Sequence, residues 1–275
     1  MVDYIELSVP VSDAEQAEIL IAELAEFPFE SFQQEETQLK AYIREDELEK
    51  YRGDVAEFLT GRLIRGTYTR IETVNWNAEW EAGFEPVDVD GRCLIRAPFH
   101  DRAPEDCLDV VIMPKMSFGT GHHATTWLMT SALLGHDFSG MTGLDMGSGT
   151  GVLAIVAVMR GAVHVDAVDI DEWSYENCTE NIRENGVEQR IRPILGDASA
   201  IGDAKYDFIL ANINRNILLT DMGAYVDALN GGGLLIMSGI LEADIPIITD
   251  KAVSLGLKPL EQHLKDGWAA LEFVK

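Results

Sequence analysis

Hydrophobic and polar positions alternate in two rhythms along this chain, and the elements they predict fall into two groups. Tyr4-Ile5-Glu6-Leu7-Ser8-Val9 alternates with period two, which predicts a short strand. Ser12 or Asp13 then caps AEQAEILIAELAEF, where Ile19, Leu20, Leu24 and Phe27 line one helical face. Residues 29 to 43 predict a hairpin, with FESF and LKAYI as its strands and Gln33 to Thr37 as the turn region. A second helix is expected around Asp46 to Leu59 and a strand near Tyr68 to Val74. The order β-α-β-β-α-β is that of a split βαβ sandwich, so residues 1–74 are expected to form a small α+β, ferredoxin-like domain. Residues 75–86, with Trp76, Trp80 and Phe84 at four-residue spacing, predict a short linker helix whose aromatics pack as core.

From residue 87 the rhythm changes. VDVDGRCLIRAPF reads as a hairpin turning at Asp90-Gly91, and LDVVIM leads into MSFGTGHHATTWLM. Beyond residue 143, strands and helices alternate. GLDMG, HVDAVDID, RIRPILGD, YDFILANI and GLLIMSGI read as strands, with helical stretches at GVLAIVAVMRG, WSYENCTENIRENG, NILLTDMGAYVDAL and ADIPIITDKAVSLG. LKPLEQHL and GWAALEFVK close the pattern. Such alternation predicts a mainly parallel, doubly wound α/β sheet over 87–275, covered on both faces. Ligands in these sheets bind beyond the carboxyl ends of the strands.

Leu144-Asp145-Met146-Gly147-Ser148-Gly149-Thr150-Gly151 leaves such a strand end and enters a helix. A dinucleotide fingerprint would need glycine where Val152 stands, and a phosphate-cradling loop would need a lysine that is absent. What remains suits a nucleoside without a pyrophosphate, and a methionyl carboxylate could use the positive helix end near Thr150. Asp169, 22 positions after Gly147, ends the next strand, where a carboxylate can accept both ribose hydroxyl protons. Asp171 is its rival and also reads as a helix cap. Asp197 either bonds an adenine amine or caps a turn. Asn212 either orients an attacking amine through its carbonyl oxygen or caps the helix beginning near Asn214.

Composition narrows the partners. The 275 residues carry a formal charge of −26, and residues 1 to 60 alone hold sixteen Asp and Glu against four Lys and Arg. Displacing counterions from a nucleic-acid backbone needs a basic surface, so direct nucleic-acid binding is not expected. A basic protein is the expected partner. No apolar run reaches the ~18 residues of a membrane span, and MVDYIELSVPV lacks the pattern of a secretory signal. Three scattered cysteines without a C-x-x-C pair predict neither disulfides nor a zinc site, and no ligand pattern accompanies His122-His123. A monomeric, cytoplasmic protein without a metal is expected.

Phe118-Gly119-Thr120-Gly121-His122-His123-Ala124-Thr125-Thr126, followed by the glycine loop and Ala211-Asn212-Ile213, resembles the bacterial ribosomal protein L-eleven methyltransferases. The resemblance runs through the whole chain, including the small first domain and the Trp-rich connector. It implies S-adenosylmethionine as cofactor, with Phe118, Gly119, Thr126, Gly147, Gly149, Gly151, Asp169, Asp197 and Asn212 around it. It further implies methylation of lysine side chains, and of the N-terminal amine, of that ribosomal protein, which the first domain grips. His123 is a conceivable proton acceptor or a loop-ordering residue. Ala124 replaces a usual proline, and Asn214-Arg215-Asn216 departs from the family's segment after Ile213; both departures lie beside the expected methyl-acceptor channel. A methyltransferase of another protein, a small molecule or nucleic acid is the alternative. The segment Asn212-Ile213-Asn214-Arg215 lacks the Pro-Pro-aromatic pattern of nucleic-acid amine methyltransferases.

Overall fold

The computed structural model describes residues 4–71, 83–115 and 117–275. The chain divides into two compact units, Met1–Gly83 and Phe84–Lys275. The linker helix expected over 75–86 lies mostly outside the described residues.

In the first unit, strands β1 (Tyr4–Pro10), β2 (Ser31–Gln34), β3 (Gln38–Arg44) and β4 (Thr67–Ile71) form one antiparallel sheet in the order β2-β3-β1-β4. Helix α1 (Ala14–Leu24) joins β1 to β2, and α2 (Glu45–Gly61) joins β3 to β4. Period-two burial puts Leu7, Val9, Leu39, Ala41 and Ile43 in one core with Leu20, Leu24, Leu48 and Val55 of the helices. Asp13, rather than Ser12, caps α1, its carboxylate accepting from the Gln16 amide at 2.8 Å. This is the split βαβ arrangement that the residue pattern implied.

The second unit opens with a three-stranded sheet of β5 (Val87–Val89), β6 (Cys93–Arg96) and β7 (Leu108–Val111). The β5–β6 pair is the expected hairpin, whereas β7 joins β6 in parallel. Helix α3 (Ala124–Leu134) follows. Then come β8 (Thr142–Met146), α4 (Val152–Met159), β9 (His164–Asp169), α5 (Glu172–Glu184), β10 (Ile191–Leu195) and β11 (Tyr206–Asn212). The chain ends with α6 (Arg215–Ala228), β12 (Leu229–Leu241), α7 (Ile245–Ser254), β13 (Lys258–Lys265) and β14 (Trp268–Val274).

The seven strands stand in the order β10-β9-β8-β11-β12-β14-β13. The first five are mutually parallel, and β14 runs antiparallel between β12 and β13. Alternation along β11 feeds two cores. Phe208 and Leu210 join Leu128, Met129 and Ile155 on one face, while Ile209 and Ala211 join Leu218, Met222 and Tyr225 on the other. The chain moves outward in opposite directions from β8 and β11. Their adjacent carboxyl ends therefore leave a crevice at the switch point.

Candidate active site

The glycine loop fills the carboxyl end of β8. Gly147 and Ser148 donate their amides to the Val168 carbonyl on β9, at 2.8 and 3.0 Å. Gly147 has φ +69, and a Cβ there would stand 2.3 Å from the Ile213 methyl beyond β11. Gly149 has φ +53, and a Cβ would meet the Phe118 carbonyl oxygen at 2.2 Å. Neither position accepts a side chain, because both have positive φ and an added Cβ would strike the Ile213 side chain at one and the Phe118 backbone at the other. Gly151, also at positive φ, caps α4.

Asp169 is locked into this loop. One carboxylate oxygen accepts from the Gly149 amide at 2.8 Å and the other from the Asp171 amide at 3.0 Å. Asp171 itself caps α5, accepting from Trp173 and Ser174. Its carboxylate thus serves the helix, leaving Asp169 as the acid held against the glycine loop. Beneath the loop, Asp145 is fully buried. One of its oxygens accepts from the Ala154 amide at 3.1 Å, and the other has no partner. Burial, with the charge of Asp169 nearby, pushes its carboxyl up to about 7.

The Phe118–Gly121 segment lies over the same loop. Thr150 donates its amide to the Phe118 carbonyl at 2.9 Å and its hydroxyl to the Gly119 carbonyl at 2.7 Å. The amide of Asn181 holds the Thr150 carbonyl at 2.9 Å, and its side-chain oxygen accepts from the Met113 amide. His123 caps α3 by accepting the Thr125 amide on Nδ1 at 3.2 Å. That bond places the proton of a neutral His123 on Nε2, so the ring's acceptor atom is already engaged in ordering the helix start. The His123 ring stands between Phe118, 5.1 Å away, and Trp268, 4.7 Å away. On α3, Thr126 is buried with an unpartnered hydroxyl.

At the end of β11, the side-chain oxygen of Asn212 is buried without a hydrogen-bond partner. Helix capping does not use it. Asn214 performs that task, accepting from the Asn216 and Ile217 amides at 3.1 and 3.2 Å. Arg215 is tied to Asp244 at 2.8 Å. Asp197, by contrast, does cap a turn. It accepts from the Ser199 amide at 2.9 Å and hydroxyl at 2.6 Å, which holds its carboxyl below the usual range.

Two apolar side chains missed by sequence reasoning complete the rim. Ile170, directly after Asp169, is 76 % exposed, and Leu195, paired in register with Asp169, is 51 % exposed. Exposed apolar surface beside a fixed carboxylate suits a flat, uncharged group. The unpartnered oxygens of Thr126 and Asn212 suit a polar ligand between α3 and β11. The donor set therefore fits a nucleoside bearing an amino-acid tail.

A doubly wound sheet with one antiparallel strand near its edge, a glycine loop after β8 and a fixed acid after β9 define a class I S-adenosylmethionine-dependent methyltransferase. The family model described as "Ribosomal protein L11 methyltransferase (PrmA)" matches residues 6–275. The ribosomal protein L11 methyltransferase of Porphyromonas gingivalis is 47 % identical over 265 residues, covering 94 % of this chain and 90 % of its relative. That of Bacteroides fragilis is 44 % identical over 262 residues, covering 94 % and 93 %. The crystal structure of a ribosomal protein L11 methylase from Lactobacillus delbrueckii subsp. bulgaricus aligns with TM-score 0.64 at 28 % identity, covering 69 % of this chain and 98 % of that one. The chain belongs to the ribosomal protein L11 methyltransferase family.

Proposed function

We propose that this protein transfers methyl groups from S-adenosylmethionine to amino groups of ribosomal protein L11, on lysine side chains and the N-terminal amine. The observation that carries this reading is the pairing of two features at the carboxyl ends of β9 and β11, the two strands that flank β8. Asp169 is fixed to the glycine loop, and the buried Asn212 oxygen at the end of β11 lacks a partner. The family membership supports the acceptor.

Bound in this crevice, S-adenosylmethionine would supply an electrophilic methyl on a sulfonium. Asp169 accepts the ribose hydroxyls, because each carboxylate oxygen keeps a lone pair beyond its backbone bond. Gly147, Gly149 and Gly151 let the backbone approach the ligand, with Phe118 and Gly119 covering it and Asp197 beside the base. Thr126 offers its free hydroxyl from α3. Asn212 accepts a hydrogen bond from the incoming amine and so aims the nitrogen lone pair. A lysine ammonium, with an ordinary pKa of about 10.4, must first lose a proton, and desolvation in the crevice favours that loss. Orientation by Asn212 can then supply much of the acceleration, on the order of several kcal/mol. The engaged Nδ1 of His123 favours a loop-ordering role over proton transfer.

The first unit is read as the grip on the protein substrate. Residues 1 to 60 carry a net charge of −12 from sixteen acidic and four basic residues. Such a surface attracts a basic ribosomal protein and speeds encounter. Among the described residues, no helix is long and apolar enough to cross a membrane, in keeping with action in the cytoplasm. The test is incubation with isotopically labelled S-adenosylmethionine and a lysate from cells lacking the endogenous activity. Label in a single species with the mass of L11 is expected. Label in another protein, a small molecule or RNA would replace this reading with that acceptor.

A further inference from the structure

Away from the glycine loop, Glu272 on β14 is a buried carboxylate held between two histidines. The residue is 2 % exposed. His136 Nε2 lies 2.7 Å from one carboxylate oxygen and His263 Nε2 lies 2.7 Å from the other. Among the described residues, its ion pairs are with these imidazoles alone. Glu261 stands two positions before His263 on β13, where the pairing with β14 shifts register. Its Oε2 is 3.8 Å from His263 Nε2. One ligand atom from each of Glu261, His263 and Glu272 falls within 4.8 Å of the other two.

We infer that Glu261, His263 and Glu272 form an open site for a divalent transition-metal cation of the zinc class, with His136 orienting Glu272. Ligand atoms sharing a tetrahedral zinc-like ion stand about 3.4 Å apart. The 2.7 and 3.8 Å separations at His263 bracket that spacing. Burying a carboxylate is costly unless it is compensated; His136 and His263 share that task here, and a divalent cation takes over the share of His263. The proton that bridges His263 Nε2 and Glu272 moves to Nδ1 or to solvent when the cation enters, and no electrons are transferred. His136 holds the remaining Glu272 oxygen, as the outer partners of metal ligands commonly do. One imidazole with two carboxylates selects zinc, cobalt or manganese over magnesium and calcium, which prefer all-oxygen shells. Because β13 is the edge strand of the sheet, the cation can enter from solvent, and water completes its shell. Occupancy clamps the β13–β14 hairpin. The pattern is invisible in the sequence, because Glu272 lies nine residues from His263 and 136 from His136.

The test uses the full chain, stripped of metal by a chelator, with Co2+ as the probe through its visible absorption. One equivalent is expected to bind saturably and to raise Tm, and Zn2+ should displace it. His263→Gln and Glu261→Gln should each weaken Co2+ binding by roughly tenfold or more. Circular dichroism and S-adenosylmethionine affinity should be unchanged in both variants. Glu261 is mostly solvent-exposed, so its substitution leaves the fold intact. Failure of the unsubstituted protein to bind one equivalent, or unaltered Co2+ absorption in both variants, would overturn the site.

Discussion

The two units treat polar side chains in opposite ways. Among the described residues of Met1–Gly83, every buried side chain is apolar. Its charged groups pair on the surface, as Lys40 with Glu35, Arg44 with Asp46 and Lys50 with Glu47. Among the described residues of Phe84–Lys275, fourteen polar or charged ones are buried, including Thr126, Asp145, Ser148, Thr150 and Asn181 around the glycine loop. A buried polar group left without a partner costs about 1–3 kcal/mol. The free oxygens of Thr126, Asp145 and Asn212 are therefore a standing cost in the second unit. On the proposed function, a ligand in the crevice would offset it at Thr126 and Asn212. Among the described residues of the first unit one oxygen of Glu23 carries such a cost, the other being paired with Arg62, and the unit's distinguishing property is charge.

The contrast breaks most visibly at Asp169. Asp169→Ala should weaken S-adenosylmethionine binding by about 2–3 kcal/mol, the scale of lost charge-assisted hydrogen bonds. Part of that loss comes through the Gly149 amide, which Asp169 also holds. Calorimetry on a folded variant with unchanged affinity would remove Asp169 from the site. Asn212→Ala separates the two roles of the crevice. Turnover should fall more than cofactor affinity, and equal losses would make Asn212 a cofactor contact only.

At Asp145 the expected effect falls on stability and not on binding or turnover. Its carboxyl is raised from 3.8 to about 7 in the fold. A raised carboxyl binds its proton more tightly folded than unfolded. Its contribution to stability is therefore full below the ordinary value and is lost as pH rises through about 7. Asp145→Asn retains an acceptor for the Ala154 amide but cannot titrate. Denaturation midpoints of the unsubstituted protein should fall relative to the variant between pH values of about 4 and 8. Parallel curves would mean that Asp145 does not hold its proton in that window.

Most elements were legible because their periodicity was clean. Tyr4–Pro10 alternates with period two, and β8, β9 and β10 are short strands that each run into glycine or Asp at the carboxyl end. Helix α3 was not legible as a helix. Thr125, Thr126, Leu128, Met129, Thr130, Ala132, Leu133 and Leu134 are all buried, so no polar face marks the period. Strand β12 begins at Leu229, earlier than expected, because Gly231-Gly232-Gly233 reads as a turn. At the site, the choice of Asp169 over Asp171 rested on the helix-cap pattern of Asp171, and the structure adds the Gly149 amide on Asp169, a contact that spacing alone does not reveal. Trp268 was out of reach. It meets His123 across 145 positions, and only the antiparallel return of β14 brings it there.

The central claim is that the second unit holds the cofactor by itself and the acidic first unit delivers the protein substrate. The His100 and His122 rings bond the Phe84 and Glu85 carbonyls within the second unit, which makes residues 84–275 the fragment to test. Its S-adenosylmethionine affinity and its rate of L11 methylation are measured beside those of the full chain, at low and high salt. Near-normal cofactor affinity with poor methylation is expected from the fragment, together with full-length activity that falls as salt screens the charges. Methylation of L11 by the fragment at the full-length rate would contradict the division of labour.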